Sequence, residues 1–225
     1  MPVGLLNHHI LVPGNLAVLS GEAGIGKTFL TSFLADCVAT GQPFAGLPTR
    51  QAKVLYISEE LSDAEFRFRA INMSLHSTNG DFLSVFQTGM KIDQLEGLRA
   101  LYRLCRGSQA KLVIIDSFRR IHSGPEGSNE YLSRLLLAVQ KNVCRDLGIV
   151  VLFIHHAGKR DLENPNDVRG GQVIQDIARD VMVVRRTKDG LRSLGFSKVT
   201  FGIEPPISYF NLHENIEGKT VVEFQ

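Results

Sequence analysis

The chain has 225 residues, of which 44% are hydrophobic and 21% charged, and it contains no low-complexity tract. This length and composition predict one large domain whose core needs no disulfide bonds. The formal net charge is only +2, which excludes a uniformly basic surface and means that any site for a polyanion must be local.

The N-terminal third alternates apolar strands with helices. Residues 15–20 are a short apolar run after a Pro-Gly turn, and this run predicts a buried strand. Residues 28–40 carry apolar side chains at helical spacing and precede a glycine, which is typical of a helix end. A second apolar strand is predicted over residues 53–58, and it runs directly into Glu59 and Glu60.

Two capping boxes and a further apolar run mark the middle of the chain. Residues 62–65 and 93–96 each have the spacing of a capping box, so a helix is predicted to begin at each of them. The second of these helices is expected to stop at Gly107. Residues 112–115 then predict a fully apolar strand that ends in Asp116.

A long helix and a fourth apolar strand follow. Residues 129–147 have the apolar spacing of an amphipathic helix, and residues 149–154 predict a strand that ends in His155 and His156. Strands that are apolar throughout and separated by helices indicate a parallel sheet covered on both faces. The predicted fold class is therefore α/β.

The pattern changes after about residue 180, where short strands follow one another with only loop-sized gaps. We predict an antiparallel extension of the same sheet, with strands over residues 181–184, 194–199, 207–210 and 220–224. Residues 1–225 are expected to form a single domain, with its core over about 10–180 and a C-terminal β extension over about 181–225.

The strongest functional signal is the glycine loop, residues 21–28, which reads GEAGIGKT and matches the pattern G-x-x-x-x-G-K-[ST]. It lies between a predicted strand and a predicted helix, as phosphate-binding loops do. Its backbone N–H groups are expected to surround the phosphates of ATP, with Lys27 reaching the β- and γ-phosphates and Thr28 ligating Mg²⁺. The predicted nucleotide-binding residues are Gly21, Glu22, Ala23, Gly24, Ile25, Gly26, Lys27, Thr28 and Phe29.

Acidic and histidine side chains end three of the predicted strands. Asp116 is expected to hold the water shell of the metal together with Thr28. Polarising the attacking water requires a carboxylate near the γ-phosphate, and Glu59 and Glu60 both occupy that zone. The pair at residues 155–156 is placed where a hydrogen-bonding side chain can sense the γ-phosphate.

The segment of residues 157–171 is polar and contains Lys159, Arg160 and Arg169. Such a loop at the active edge of the sheet is available for single-stranded DNA. Single-strand binders usually add aromatic side chains that stack on the bases, and this loop has none, so a solvated surface loop is the alternative.

Four segments together resemble the RecA-type AAA ATPases, namely residues 21–28, 56–60, 114–122 and 153–159. Within that group, the strings DSFRRIH and HHAGK are similar to the hexameric replicative helicases of plasmids, the RepA type. The resemblance covers roughly residues 10–210. It implies a RecA-like P-loop NTPase that uses ATP and Mg²⁺ and that forms a ring, expected to be a hexamer, around single-stranded DNA.

The resemblance also implies roles that spacing alone leaves open. Glu60, rather than Glu59, matches the catalytic glutamate that polarises the attacking water. His156 matches the sensor that couples the γ-phosphate to the DNA-facing loop, and Arg69 matches an arginine near the nucleotide. Arg179 matches the finger that a neighbouring subunit supplies to complete each site.

One position departs from the wider group of replicative helicases. In that group a lysine and an arginine two residues later act together across the subunit interface. Here Lys198 keeps the lysine, but Thr200 stands in place of the arginine. RepA-like members also lack this arginine, so the resemblance gives more weight to Arg179 and keeps Lys198 as a second residue that acts across the interface.

The three cysteines, Cys37, Cys105 and Cys144, lie far apart and form no CxxC pair. An odd, scattered set excludes a closed disulfide framework and predicts buried thiols in a reducing compartment. The chain shows neither a basic leader before an apolar run nor an apolar stretch of about 18 residues. We therefore expect a soluble cytoplasmic protein with no membrane partner.

Two functions fit these features. The first is a Mg²⁺-dependent ATP hydrolase that acts as a ring-forming, replicative-helicase-like DNA motor. The second is an ATPase of the same fold that regulates a DNA-repair, recombination or mobile-element partner without unwinding. A small-molecule kinase is disfavoured because the sequence shows neither an arginine-rich lid nor an acceptor pocket.

Overall fold

The computed structural model describes residues 3–75, 80–156 and 171–225. The strands in these ranges are β1 (Leu16–Gly21), β2 (Val54–Ser58), β3 (Phe82–Phe86), β4 (Leu112–Asp116), β5 (Val150–His156), β6 (Asp180–Arg186), β7 (Arg192–Val199), β8 (Ser208–Glu214) and β9 (Thr220–Phe224). The helices are α1 (Lys27–Thr40), α2 (Asp63–Asn72), α3 (Leu95–Ser108), α4 (Asn129–Val139) and α5 (Gly171–Ile177). A short 3₁₀ turn, Phe118–Arg120, follows β4, and α4 continues into a π-helical segment, Gln140–Arg145.

The strands form one sheet in the order β3-β2-β4-β5-β1-β6-β7-β8-β9. The pairs from β3 to β6 are all parallel, and the pairs from β6 to β9 are all antiparallel. The prediction of a mostly parallel sheet with an antiparallel C-terminal extension is therefore confirmed. The parallel strands end together at one edge of the sheet, which we call the carboxyl edge, and the opposite edge is the amino edge.

One strand of the predicted antiparallel extension, β6, is in fact parallel to its neighbour β1. Residues 181–184 were expected to belong to the antiparallel part, but β6 pairs in parallel with β1, where Val18 lies opposite Val181. The helix α5 lies directly before β6, and a helix in the connection is the usual way to bring a chain back to a parallel strand. The antiparallel extension thus starts at β7.

Apolar side chains cover both faces of the sheet. Ala17, Leu19 and Tyr56 face a cluster that includes α1, whereas Leu16 and Val18 face a second cluster that includes α3 and α4. Successive residues of a strand point to opposite faces, so strands that are buried on both sides need apolar residues at every position. The prediction of helices on both faces is confirmed.

Two elements differ from the expectation. Strand β3 was not predicted, because it lies at the end of the sheet and its residues are partly exposed rather than uniformly apolar. The helix predicted from residue 93 begins at Leu95, and the carboxylate of Asp93 instead accepts the backbone N–H of Ser123 at 3.2 Å. That helix continues past Gly107 to Ser108.

Cys37, Cys105 and Cys144 are all buried and free, as predicted. Burial raises the pKa of the Cys37 and Cys105 thiols to about 12, so both remain protonated near neutral pH. Within the three described ranges, every helix is too short or too polar to cross a bilayer.

Candidate functional site

The glycine loop joins β1 to α1 at the carboxyl edge, and its glycines are needed for different reasons. A Cβ on Gly21 would lie 2.8 Å from the carbonyl oxygen of Val184 on the neighbouring strand β6. Gly24 has a φ of +74° and Gly26 a φ of +98°, conformations that side chains disfavour. Ala23 and Gly24 are exposed to solvent, so the loop presents its backbone at the edge of the sheet.

Lys27 is the first residue of α1, and its side chain folds back over the loop. Only 4% of the residue is exposed. Its Nζ donates to the carbonyl oxygens of Gly21 at 2.8 Å and Glu22 at 2.7 Å, and it lies 3.1 Å from Nδ1 of His156. Burial lowers the pKa of Lys27 to about 8, while nearby carboxylates oppose this change, so the ammonium form predominates near neutral pH.

Thr28 and Asp116 meet beside Lys27. The Thr28 hydroxyl donates to Oδ2 of Asp116 at 2.8 Å, and the Tyr56 hydroxyl donates to the same oxygen at 3.0 Å. Asp116 is only 1% exposed, and this burial raises the pKa of its carboxyl group. Oxygen ligands of this kind fit Mg²⁺, which usually binds one or two protein oxygens and keeps its remaining positions for water and phosphate.

Clusters of three or more His, Cys, Asp or Glu side chains that could enclose a metal ion do not occur within residues 3–75, 80–156 and 171–225. Mg²⁺ held by Thr28, Asp116, water and phosphate oxygens needs no such cluster. A buried carboxylate also gains from a cation, because the cation favours its charged form. The donor set at this position therefore fits Mg²⁺ bound together with a nucleotide.

Glu60 and His156 extend the site away from the glycine loop. Oε1 of Glu60 accepts the Ser117 hydroxyl and lies 3.3 Å from Nε2 of His156. The hydrogen bond with His156, followed by the one from Ser117, lowers the pKa of Glu60 to about 2, so the group is ionised at neutral pH.

His156 links Lys27 to Glu60 through its two ring nitrogens. An ammonium group can only donate, so Nδ1 accepts from Lys27 and the proton resides on Nε2, which then donates to Glu60. This chain of contacts fixes the neutral tautomer of the ring. The structure therefore brings together Lys27, Thr28, Asp116, Glu60 and His156.

Glu59 and His155, which precede Glu60 and His156 in the chain, do not line the pocket. The carboxylate of Glu59 accepts the backbone N–H groups of Thr88 and Gly89, each at 3.1 Å, and the hydroxyl of Thr88, and thereby holds the loop after β3. His155 is buried beside Phe118. Alternation along β5 accounts for the separation of His155 from His156, since successive residues of a strand point to opposite faces.

Arg69 on α2 lies over the ring of Phe29, with 5.0 Å between the guanidinium carbon and the ring centroid. Both residues line an open pocket of about 240 Å³, which Lys27, Glu60, Asp116 and His156 also line. A second groove of about 620 Å³ shares Phe29 and Arg69 and continues between α2 and the strands β8 and β9. The sequence-predicted positions of Arg69 and Phe29 therefore lie beside the glycine loop.

Arg179 and Lys198 do not lie at this pocket in their own chain. The backbone N–H of Arg179 donates to Leu16 at the start of β1, which places the residue at the amino edge. Lys198 lies near it and approaches the carbonyl oxygen of Asp176 at 3.5 Å. Their assignment to a neighbour's site stays a prediction. Lys159, Arg160 and Arg169 lie outside the described residues.

Several contributors to the site, Ser117 among them, were not identified as site residues from the sequence. Tyr56 was read only as part of an apolar strand, although its hydroxyl required a buried partner. Arg192 donates to the carbonyl oxygen of Ile25 at 2.9 Å, and Leu212 contacts Gly26. Both lie far along the chain, and no local pattern marks them.

The fold and this arrangement of side chains define a P-loop ATPase domain with a RecA-like fold. Residues 2–161 match the family model described as an AAA domain, and the chain belongs to that family. No curated protein matches the chain.

Two solved structures share the fold. One is the KaiC-like protein PH0186 from the hyperthermophilic archaeon Pyrococcus horikoshii OT3, with a TM-score of 0.67 and 18% identity over 97% of this chain and 93% of that one. The other is the ATPase domain of a second protein, with a TM-score of 0.69 and 13% identity over 93% of this chain and 85% of that one. At these identities the likeness concerns the fold alone.

Proposed function

We propose that the protein hydrolyses ATP with Mg²⁺. The observation that carries this proposal is the continuous chain of contacts from Lys27 through His156 to Glu60, beside the pair Thr28 and Asp116. The loop amides and Lys27 bind the β- and γ-phosphates, and Thr28 and Asp116 hold the metal. When bound, Mg²⁺ supplies positive charge that neutralises the phosphate oxygens.

In the reaction, a water oxygen attacks the γ-phosphorus, and the bond to the oxygen that bridges the β- and γ-phosphorus atoms breaks. The products are ADP and inorganic phosphate. Glu60 accepts a hydrogen bond from the water and orients it, a role that suits its low pKa of about 2 better than full proton removal. His156 is proposed as the sensor, because one ring contacts both Lys27 and Glu60.

We infer further that the protein works as a ring-forming motor on single-stranded DNA, of the RepA-like kind that the motifs resemble. The placement of Arg179 and Lys198 supports this inference, since within one chain they lie at the amino edge, away from the glycine loop. Residues at that edge are available to a neighbouring copy. The single ATPase domain of residues 1–225 would then be the repeating unit, and each site would be completed by Arg179 of the next subunit.

Turnover with and without DNA tests the motor proposal. ATP hydrolysis by the full chain should rise when single-stranded DNA is added at low salt, because a motor couples its sites to its track. A duplex of equal length is the control. ATPase activity that single-stranded DNA leaves unchanged would favour the regulatory ATPase instead.

Subunit mixing tests the shared site. Arg179→Ala should retain nucleotide binding and lose about a thousandfold or more in turnover, as related arginine fingers do. Mixing it with Lys27→Ala chains should restore activity, because a Lys27→Ala subunit still supplies Arg179 to an Arg179→Ala neighbour with an intact loop. Failure of the mixture to recover, or normal turnover by Arg179→Ala alone, would refute the finger assignment.

A further inference from the structure

The C-terminal extension lies directly against the outer side of the glycine loop. Arg192, the first residue of β7, donates from Nε to the carbonyl oxygen of Ile25 at 2.9 Å. Leu212 of β8 lies so close to Gly26 that an added Cβ would be 2.3 Å from its Cδ1 atom. Two strands from beyond the parallel sheet therefore contact the loop, although the loop motif itself ends at Thr28.

The contact with Ile25 has a consequence for the next residue. The carbonyl group of Ile25 and the N–H group of Gly26 belong to one planar trans peptide, so they point in opposite directions. Gly26 has a φ of +98° and lacks a side chain that would restrain this peptide. By holding the carbonyl oxygen on the outer side, Arg192 directs the Gly26 N–H toward the inner side of the loop.

We propose that Arg192 is a positioning residue for phosphate binding, which acts by fixing the peptide between Ile25 and Gly26, and that Leu212 supports the same conformation by packing on Gly26. The inference deepens the proposed ATPase function and rests on it. It assigns to the C-terminal extension a role within the nucleotide site of its own chain. The extension and the bound nucleotide then stabilise each other.

The chemistry of the contact supports a strong restraint. A guanidinium group remains charged, and its hydrogen bond to a carbonyl oxygen is therefore charge-assisted. Partial burial, and after it the charge of Arg186, lowers the pKa of Arg192. The hydrogen bond to the Ile25 carbonyl offsets part of this partial desolvation.

Arg186 provides a matched control. It lies directly opposite Arg192 across the β6–β7 pair and carries the same charge. Within the described part of the chain it makes no hydrogen bond to the glycine loop. Replacing it removes one positive charge from the same neighbourhood while leaving the contact with Ile25 in place.

The test measures the dissociation constant for Mg²⁺–ATP by calorimetric titration of the full chain. Losing a charge-assisted hydrogen bond predicts that Arg192→Ala weakens binding about 10- to 100-fold, whereas Arg186→Ala stays within about twofold of wild type. Steady-state kinetics should show a raised KM with a much smaller change in kcat, since phosphate contacts are made in both ground and transition states. A merely destabilised variant would instead lose active protein and kcat at unchanged KM.

Each other outcome has a defined meaning. If Arg192→Ala and Arg186→Ala weaken Mg²⁺–ATP binding equally, the effect is a general charge attraction and the proposal is overturned. Unchanged binding in both variants would overturn it as well. If Arg192→Ala does not fold, Arg192→Lys carries the test, because it keeps the charge and loses the Nε donor. Wild-type affinity in that variant overturns the proposal, and weakened affinity supports it.

The proposed function is checked separately in the same experiment. Wild type must bind Mg²⁺–ATP and Lys27→Ala must not. If wild type itself fails to bind, the ATPase proposal fails. If wild type binds and Arg192→Ala binds equally well, only the role of Arg192 is refuted.

Discussion

Two buried aspartates lie at opposite edges of the sheet. Asp116 ends β4 at the carboxyl edge and is 1% exposed, whereas Asp180 begins β6 at the amino edge and is 0% exposed. Burial raises the pKa of both carboxyl groups, that of Asp180 to about 6. Burial and pKa alone would therefore mark both as functional.

The two aspartates differ in the groups that donate hydrogen bonds to them. Asp116 accepts from the hydroxyl groups of Thr28 and Tyr56, which can rotate toward a ligand. Asp180 accepts the backbone N–H of Leu11 at 2.8 Å, a donor that the chain holds in place. The comparison teaches that a carboxylate bound by side-chain donors at the carboxyl edge suits ligand binding, and that one bound by backbone amides fastens the fold.

The largest expected effect extends this comparison to Glu59 and Glu60. The partners of Glu60 are the side chains of Ser117 and His156 at the pocket, while Glu59 accepts two backbone N–H groups and the Thr88 hydroxyl of the loop after β3. Glu60→Gln should lower kcat for ATP about 10²- to 10⁴-fold with little change in nucleotide affinity, because a neutral amide is a much weaker acceptor for the water than the carboxylate. Glu59→Gln is the matched control and should retain most of the turnover in the same phosphate-release assay.

The opposite ranking of the two glutamate variants would break the comparison. If Glu59→Gln lost turnover and Glu60→Gln kept it, the kind and position of the hydrogen-bond donors would not identify the functional carboxylate. Folding of both variants should be checked by circular dichroism, because Glu59 also holds the loop at Thr88.

The next largest effect is expected from substitutions of the two aspartates. Asp116→Asn should weaken Mg²⁺-dependent nucleotide binding about 10- to 100-fold, since an amide replaces a charged group next to the metal's water shell. Asp180→Asn should leave that affinity unchanged. Titration of ATP at several Mg²⁺ concentrations gives both values, and a loss of Mg²⁺ dependence in Asp180→Asn would contradict the assignment of its role.

Much of the fold and of the site was predictable from local sequence. The strands that end in Gly21, Asp116 and His156 are apolar up to their last one or two residues, and a buried parallel strand requires such a continuous apolar run. The glycine loop is one contiguous motif, so its position between β1 and α1 follows directly. The choice of Glu60 over Glu59 needed the family resemblance.

What the sequence could not predict depends on contacts between distant segments. The direction of β6 is set by its pairing with β1, and the two strands are separated by more than half of the chain. Arg192 lies 167 residues from Ile25, the residue whose carbonyl it holds. A charged residue at the start of a strand is ordinarily solvated, so nothing local distinguishes Arg192 from Arg186.

The smallest expected effect concerns stability and the pH at which Asp180 ionises. Its pKa rises from the ordinary 3.8 to about 6 in the folded protein, so folding favours the protonated form. The stabilisation that comes from this raised pKa is fully present below pH 4. It declines as the pH rises to 6, and the free energy of unfolding no longer changes on this account above pH 6. The total change is roughly 3 kcal/mol as an upper value.

Asp180→Asn removes this dependence while its amide oxygen still accepts the N–H of Leu11. The difference in the free energy of unfolding between variant and wild type, measured in urea from pH 4 to pH 7, should therefore move in favour of the variant as the pH rises. A difference that is flat with pH, or that moves the other way, would mean that Asp180 is charged in the folded protein. Its burial would then require a cationic partner, and the contrast with Asp116 would have to be drawn on charge rather than on hydrogen-bond donors.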